Sequence, residues 1–166
     1  MRYALCMEKT HAMRTLDARG IAYATKAYDA SGAFHTANEA AALLGVAPET
    51  VYKTLVVLRE GVARAKPMLV LIPARARIDL KKLANCIGEK KVRMATQREA
   101  EHLTGMQVGG ISALGVLRPA SFEVLIDETA KSIETIHISA GVRGVDLALN
   151  VDHFIVTAAA RYVGAV

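Results

Sequence analysis

The chain has 166 residues, 52% of them hydrophobic, which is enough to close a core and too apolar for a disordered segment. A formal net charge of +5 and a pI near 9.4 favour anionic partners, nucleic acid foremost, while 5% aromatic residues and no Trp argue against a base-stacking platform for single strands. The longest apolar runs, VYKTLVVL and PMLVLIPA, fall far short of the roughly 20 residues of a membrane span, and the start lacks the features of a signal peptide, so a cytoplasmic setting with no membrane is expected.

In chain order, THAMRTLDARG reads as a helix: Thr10 caps it, Ala12, Met13 and Leu16 share a face, and Gly20 ends it. IAYATKAY alternates as a strand does, with Ile21, Tyr23 and Thr25 set against Ala22, Ala24 and Lys26. Thr36 and Glu39 form a capping box for a helix that runs through Leu44 and stops at Gly45. Pro48 suits the first turn of a short helix. Strands over 53–59 and 67–73, joined around Gly61, give a hairpin signal. Asp79 caps a helix to Gly88, KKVRMA is a short strand, and Thr96 with Glu99 opens a helix that ends at Gly105. MQVGGISALG is a glycine-punctuated loop. SFEVLIDE, ETIHISA and VDLAL are strands, and Asn150 caps a last helix. Helices and strands interleave, yet two strand pairs lack a long crossover. That predicts an α+β fold with a mixed sheet and helices packed on it. No repeat or charge block divides the chain, so one domain over 1–166 is expected.

Cys6 and Cys86 are too few for a disulfide framework and read as reduced structural thiols. The five histidines, His11, His35, His102, His137 and His153, show no ligand spacing, so no metal site is expected. Three segments hold candidate chemistry. In VYKT, Lys53 sits in an apolar run, where burying an unpaired charge is costly. Either it reaches solvent along its own stem, or something negative meets it. In GMQVGGISALG, Gly109 and Gly110 either form a plain turn or let backbone N–H groups approach a phosphate or a polarised carbonyl. In SAGVRGVDL, Arg143 and Asp146 either close a surface turn as an ion pair or hold a charged ligand.

VYKTLVV, DLKKLANCIGEKKVRMA, TGMQVGGISALG and ISAGVRGVDLAL, in that order and spacing, resemble the YbaK/EbsC proteins, relatives of the editing domain of bacterial prolyl-tRNA synthetase. The resemblance runs from about Thr10 to the C-terminus. It implies a mainly antiparallel, partly barrel-like sheet and hydrolysis of mischarged aminoacyl-tRNA, Cys-tRNA(Pro) foremost, without metal or cofactor. Lys53 matches the signature active-site lysine and is expected to anchor the phosphate or ribose of the tRNA acceptor end, with Tyr52 and Thr54 flanking it. Gly109, Gly110, Ile111 and Ser112 are expected to line the aminoacyl pocket and to offer backbone donors to the reacting ester. Ser139, Gly141 and Asp146 match its far wall, and Tyr28 matches an aromatic position near the entrance. The family's cysteinyl editors are thought to use the substrate's own thiol as nucleophile, and its alanyl editors a positioned water. Prolyl-tRNA synthetase is an implied partner. Ala113, Ala140 and Val142, and Thr36, depart from the family pattern, which leaves an alanyl or other small substrate open. A non-catalytic tRNA- or synthetase-binding role is a separate alternative.

Overall fold

The computed structural model describes residues 8–29 and 37–166. Helix starts are set by single polar side chains that satisfy the first N–H groups of the turn. Thr10 accepts from Met13 N–H at the head of α1 (His11–Ala18). β1 (Ala24–Ala27) and α2 (Ala37–Leu44) follow, and the Thr36 cap expected for α2 lies outside the described residues. A 3-10 turn at Pro48–Thr50 leads into β2 (Tyr52–Arg59), which returns through β3 (Met68–Pro73). Asp79 caps α3 (Leu80–Ile87), and Gly88 closes it at φ +74°. β4 (Val92–Met94) precedes α4 (Gln97–Thr104), whose capping box is complete: Thr96 accepts from Glu99 N–H, and Glu99 accepts from Thr96 N–H. After a long loop come β5 (Glu123–Asp127), β6 (Thr135–Ser139), β7 (Val145–Asn150) and α5 (Val151–Ala158), capped by Asn150.

The expected single sheet is divided in two, and neither part closes into a barrel. One sheet has the order β1-β7-β6. The other runs β4-β2-β3-β5 and ends on β8 (Arg161–Val163), a strand with no clear sequence signal. Four of the pairings are antiparallel, and β3–β5 and β5–β8 are parallel. A single parallel bridge, Val51 to His137, joins the two sheets. Thr50 Oγ1 lies 3.1 Å from His137 Nδ1 at the same point.

Alternation along β2, β3 and β5 sends residues to opposite faces of the larger sheet. Tyr52, Val56, Leu69, Leu71 and Ile126 pack with α1, α4, α5 and the smaller sheet through Leu16, Ala100, Phe154, Ile136 and Leu147. Val57, Met68, Val70, Ile72 and Leu125 pack under Leu83 and Ala84 of α3. Cys86 is exposed on α3, so it is not the packed structural thiol expected, and Cys6 lies outside the described residues. Among the described residues, no helix is long and apolar enough to cross a membrane.

Asp127, 1% exposed, ties the C-terminal strand to the centre of the larger sheet. Its Oδ2 accepts from the N–H groups of Ala165 (2.8 Å) and Val166 (3.2 Å), and its Oδ1 accepts from Thr129 N–H and Thr129 Oγ1. Asp127→Ala leaves four donors without their acceptor and is expected to lower stability by about 2–3 kcal/mol. Urea denaturation of the variant beside the wild type measures this.

Candidate active site

The seam between the two sheets opens into a cavity of about 290 Å³. The larger sheet supplies Val51 and the first residues of β2, together with Ala74 just past β3. The smaller sheet supplies Ser139 and Asp146. Tyr28, Ala40 and the loop residues Val108, Gly109 and Ile111 complete the wall. Residues far apart in the chain converge because β2 and β6 are brought side by side at the Val51–His137 bridge.

Lys53 is half-buried in this wall. Its Nζ donates to the carbonyls of Ala74 (3.2 Å) and Ala76 (2.7 Å). Among the described residues, the negative partner sought for this charge is therefore a pair of backbone dipoles and not a carboxylate. Burial, and then the charge of Arg77, holds its pKa below the ordinary lysine value. Tyr52, beside it, is 3% exposed. Its hydroxyl lies 2.9 Å from Thr129 Oγ1. Thr129 gives its only hydroxyl proton to Asp127, so Tyr52 is the donor. Thr54 also lines the cavity, and its buried Oγ1 has no hydrogen-bond partner among the described residues.

The glycine loop is held from two sides. Val108 N–H donates to Glu101 of α4 at 3.0 Å, and Val108 O accepts from Arg143 Nε at 2.8 Å. Arg143 thus clamps the loop. Gly109 lies on the cavity wall at φ +91°, a conformation that favours glycine. Gly110 departs from expectation. Its N–H is spent on Gln107 O at 2.9 Å, and it is not among the cavity-lining residues. A Cβ placed there would stand 2.9 Å from Arg143 N and 3.0 Å from Val142 C. Glycine is needed at 110 for loop-on-loop packing, not for ligand approach. Ile111 lines the cavity, whereas Ser112 is fully buried behind it, its Oγ without a hydrogen-bond partner among the described residues.

On the far wall, Ser139 Oγ accepts from Gly141 N–H at 3.2 Å. Gly141 itself, at φ +100°, packs toward Met106 and Ser112 outside the lining. Asp146 is buried, and that burial raises its carboxyl pKa to about 6. Tyr28 reaches the wall next to it, with its backbone N–H on Gly144 O at 2.9 Å. Burial, then the Asp146 charge, raises its phenol pKa and keeps it neutral. The structure thus brings together Tyr28, Tyr52, Lys53, Thr54, Gly109, Ile111, Ser139 and Asp146, and sets Gly110, Ser112 and Gly141 behind them. Ala40, Val51, Leu55, Ala74 and Val108 also line the cavity. They are apolar residues that only the tertiary fold brings together: Val51, Leu55 and Ala74 through the β2–β3 pairing, Ala40 from α2 and Val108 from the loop. Among the described residues, no three His, Cys, Asp or Glu side chains gather as metal ligands.

The sequence profile of the aminoacyl-tRNA editing domain matches residues 32–155. An Enterococcus faecalis protein provisionally named Cys-tRNA(Pro)/Cys-tRNA(Cys) deacylase EbsC is 32% identical over 142 residues, covering 86% of this chain and 84% of that protein. A proline–tRNA ligase of Nitratidesulfovibrio vulgaris is 30% identical over 114 residues, which is 69% of this chain but 19% of the ligase. In fold, the chain is similar to a crystal structure of a hypothetical protein (TM-score 0.80, 24% identity, 93% of this chain and 98% of that one). It is also similar to a structure provisionally described as a trans-editing enzyme for prolyl-tRNA synthetase (TM-score 0.77, 23% identity, 93% and 94%).

The Asp146 carboxyl keeps its proton in the folded state up to about pH 6, whereas the unfolded chain loses it near the ordinary value of 3.8. Between those values the folded state binds more protons, so this group makes stability fall as pH rises from about 4 to 6. Asp146→Asn is expected to flatten that part of the profile and to be the more stable protein at pH 7, by up to about 3 kcal/mol. Urea midpoints across pH 4–7 test it, and a wild-type profile flat over this window would contradict it.

Proposed function

The chain belongs to the aminoacyl-tRNA editing domain family, and from that premise we propose that it hydrolyses the ester of mischarged aminoacyl-tRNA, with Cys-tRNA(Pro) as its leading substrate. The single observation that carries this reading is Lys53: an ammonium fixed by two carbonyls in the wall of a small, otherwise largely apolar cavity. An ammonium carries three N–H donors, so one remains for a ligand. The cavity, about 290 Å³, lies at the small end of ligand sites, which run from about 300 to 1,000 Å³. That size suits a small aminoacyl group on a terminal ribose. The provisional name of the Enterococcus relative supports a cysteinyl group. An alanyl group fits the same space, because a pocket separates small side chains only modestly.

An aminoacyl ester needs no strong protein nucleophile. Water, or the thiol of a cysteinyl substrate, attacks the carbonyl. The tetrahedral oxyanion then collapses, the ribose hydroxyl leaves with a proton, and the product is the free amino acid or its cyclic thiolactone. Gly109 and Ile111 line the cavity, and among the described residues their N–H groups have no partner, which suits them to stabilise the oxyanion. Lys53 holds the phosphate or ribose of the acceptor end. Asp146, with its pKa near 6, is mostly ionised at pH 7 and faces the substrate's α-ammonium. Thr54 Oγ1 and Ser139 orient the aminoacyl side chain, and the rings of Tyr28 and Tyr52 wall it off from water. The similarity to a segment of proline–tRNA ligases supports prolyl-tRNA synthetase as the partner that delivers the tRNA.

Lys53→Ala is expected to keep the fold and to lower kcat/KM for deacylation about 100-fold or more, whichever aminoacyl group is carried. Circular dichroism and steady-state deacylation measure the two halves of that statement. Wild-type rates in a folded Lys53→Ala protein would overturn the assignment. Cys86→Ser, exposed on α3 and away from the cavity lining, is expected to leave turnover unchanged.

A further inference from the structure

Arg77 stands beside the site, and the chemistry above does not use it. The two bonds from Lys53 to Ala74 O and Ala76 O hold the 74–76 backbone against the ammonium. Arg77 is the next residue, near enough for its charge to depress the lysine's pKa. Its side chain is exposed, and among the described residues neither it nor Lys53 has a carboxylate within ion-pair distance. The neighbouring Arg75 differs: it leans on Glu49 at 3.4 Å. Two adjacent cations without a counter-charge repel each other, and an anion between them relieves that repulsion.

We propose that Arg77 is a substrate-binding residue that clamps, together with the remaining N–H of Lys53, a phosphodiester of the RNA strand whose 3′ end carries the ester. This rests on the reading of the cavity as the aminoacyl site. The two cations have different tasks. Lys53 is a point charge aimed by its carbonyl tethers. Arg77 offers a planar fork that matches two phosphate oxygens and has no other engagement to break. Since Arg77 is not part of the cavity wall, it grips the strand and not the amino acid. Its contribution is therefore the same for every aminoacyl group, and it acts on binding more than on the chemical step.

The test is binding of uncharged tRNA to the purified full chain, titrated at several salt concentrations, for wild type, Arg77→Ala, Arg77→Lys and Lys53→Ala. Each lost phosphate contact lowers the slope of log K against log salt by about 0.7–0.9. Arg77→Ala is expected to weaken binding several-fold at low salt with that loss of slope, and Arg77→Lys to restore the slope. In deacylation, Arg77→Ala raises KM and leaves kcat near wild type. Unchanged affinity and slope in Arg77→Ala, beside a clear loss in Lys53→Ala, overturns the role of Arg77 and leaves the site intact. Unchanged binding in both variants overturns the reading of the site itself. Weakened binding with a wild-type slope also counts against the clamp, because it points to a structural effect.

Discussion

The tethering of one ammonium group organises the site. Lys53 lies near the start of a strand that is apolar from Leu55 to Leu58, and taking its charge out of water is offset by two carbonyls from the segment that follows β3. Those bonds direct the charge. They shape the wall at Ala74 and keep Arg77 near enough for its charge to act on the lysine. A lysine free to follow its stem into bulk water would hold a ligand phosphate far less well, since ordering its four-carbon chain would cost entropy at the moment of binding.

The second constraint is the division of the sheet. A continuous barrel would leave no seam, whereas two sheets joined through one bridge at Val51 and His137 part just where the cavity needs room. The larger sheet contributes the rigid side of the site. β2 is paired on both edges, and Tyr52 is braced through Thr129 and Asp127 to the C-terminal backbone. The smaller sheet contributes the polar far wall, Ser139 and Asp146, paired with each other across β6 and β7. The glycine loop is pinned at Val108, whose N–H meets Glu101 and whose carbonyl meets Arg143. Adding a Cβ at Gly110 would press on the 142–143 backbone and so disturb both walls at once.

What the sequence made legible follows from how local each signal is. Caps at Thr10, Asp79, Thr96 and Asn150 depend on one side chain and the next turn, and all four helices begin where those residues stand. β8 escaped notice because Arg161–Val163 is three residues long and exists only through parallel pairing with β5, some 36 positions earlier. The two-sheet division also turns on a single long-range bridge. Lys53 announced itself as a charge among apolar residues. The apolar lining at Ala40, Val51, Leu55, Ala74 and Val108 carries no such contrast, and Gly109 and Gly110 look alike in sequence although one faces the cavity and the other faces protein. Asp127 reads as an ordinary strand-end acid until the C-terminus is seen to fold back on it.

Multiple-turnover deacylation of a panel of mischarged tRNAs tests the proposed activity most directly. With enzyme well below substrate, Cys-tRNA(Pro) is expected to lose its amino acid over many cycles, Ala-tRNA(Pro) to follow at a lower rate, and correctly charged Pro-tRNA(Pro) to be spared. Release that stops at one equivalent per protein molecule, or no release from any member of the panel, would contradict an editing hydrolase and leave a tRNA-binding protein in its place.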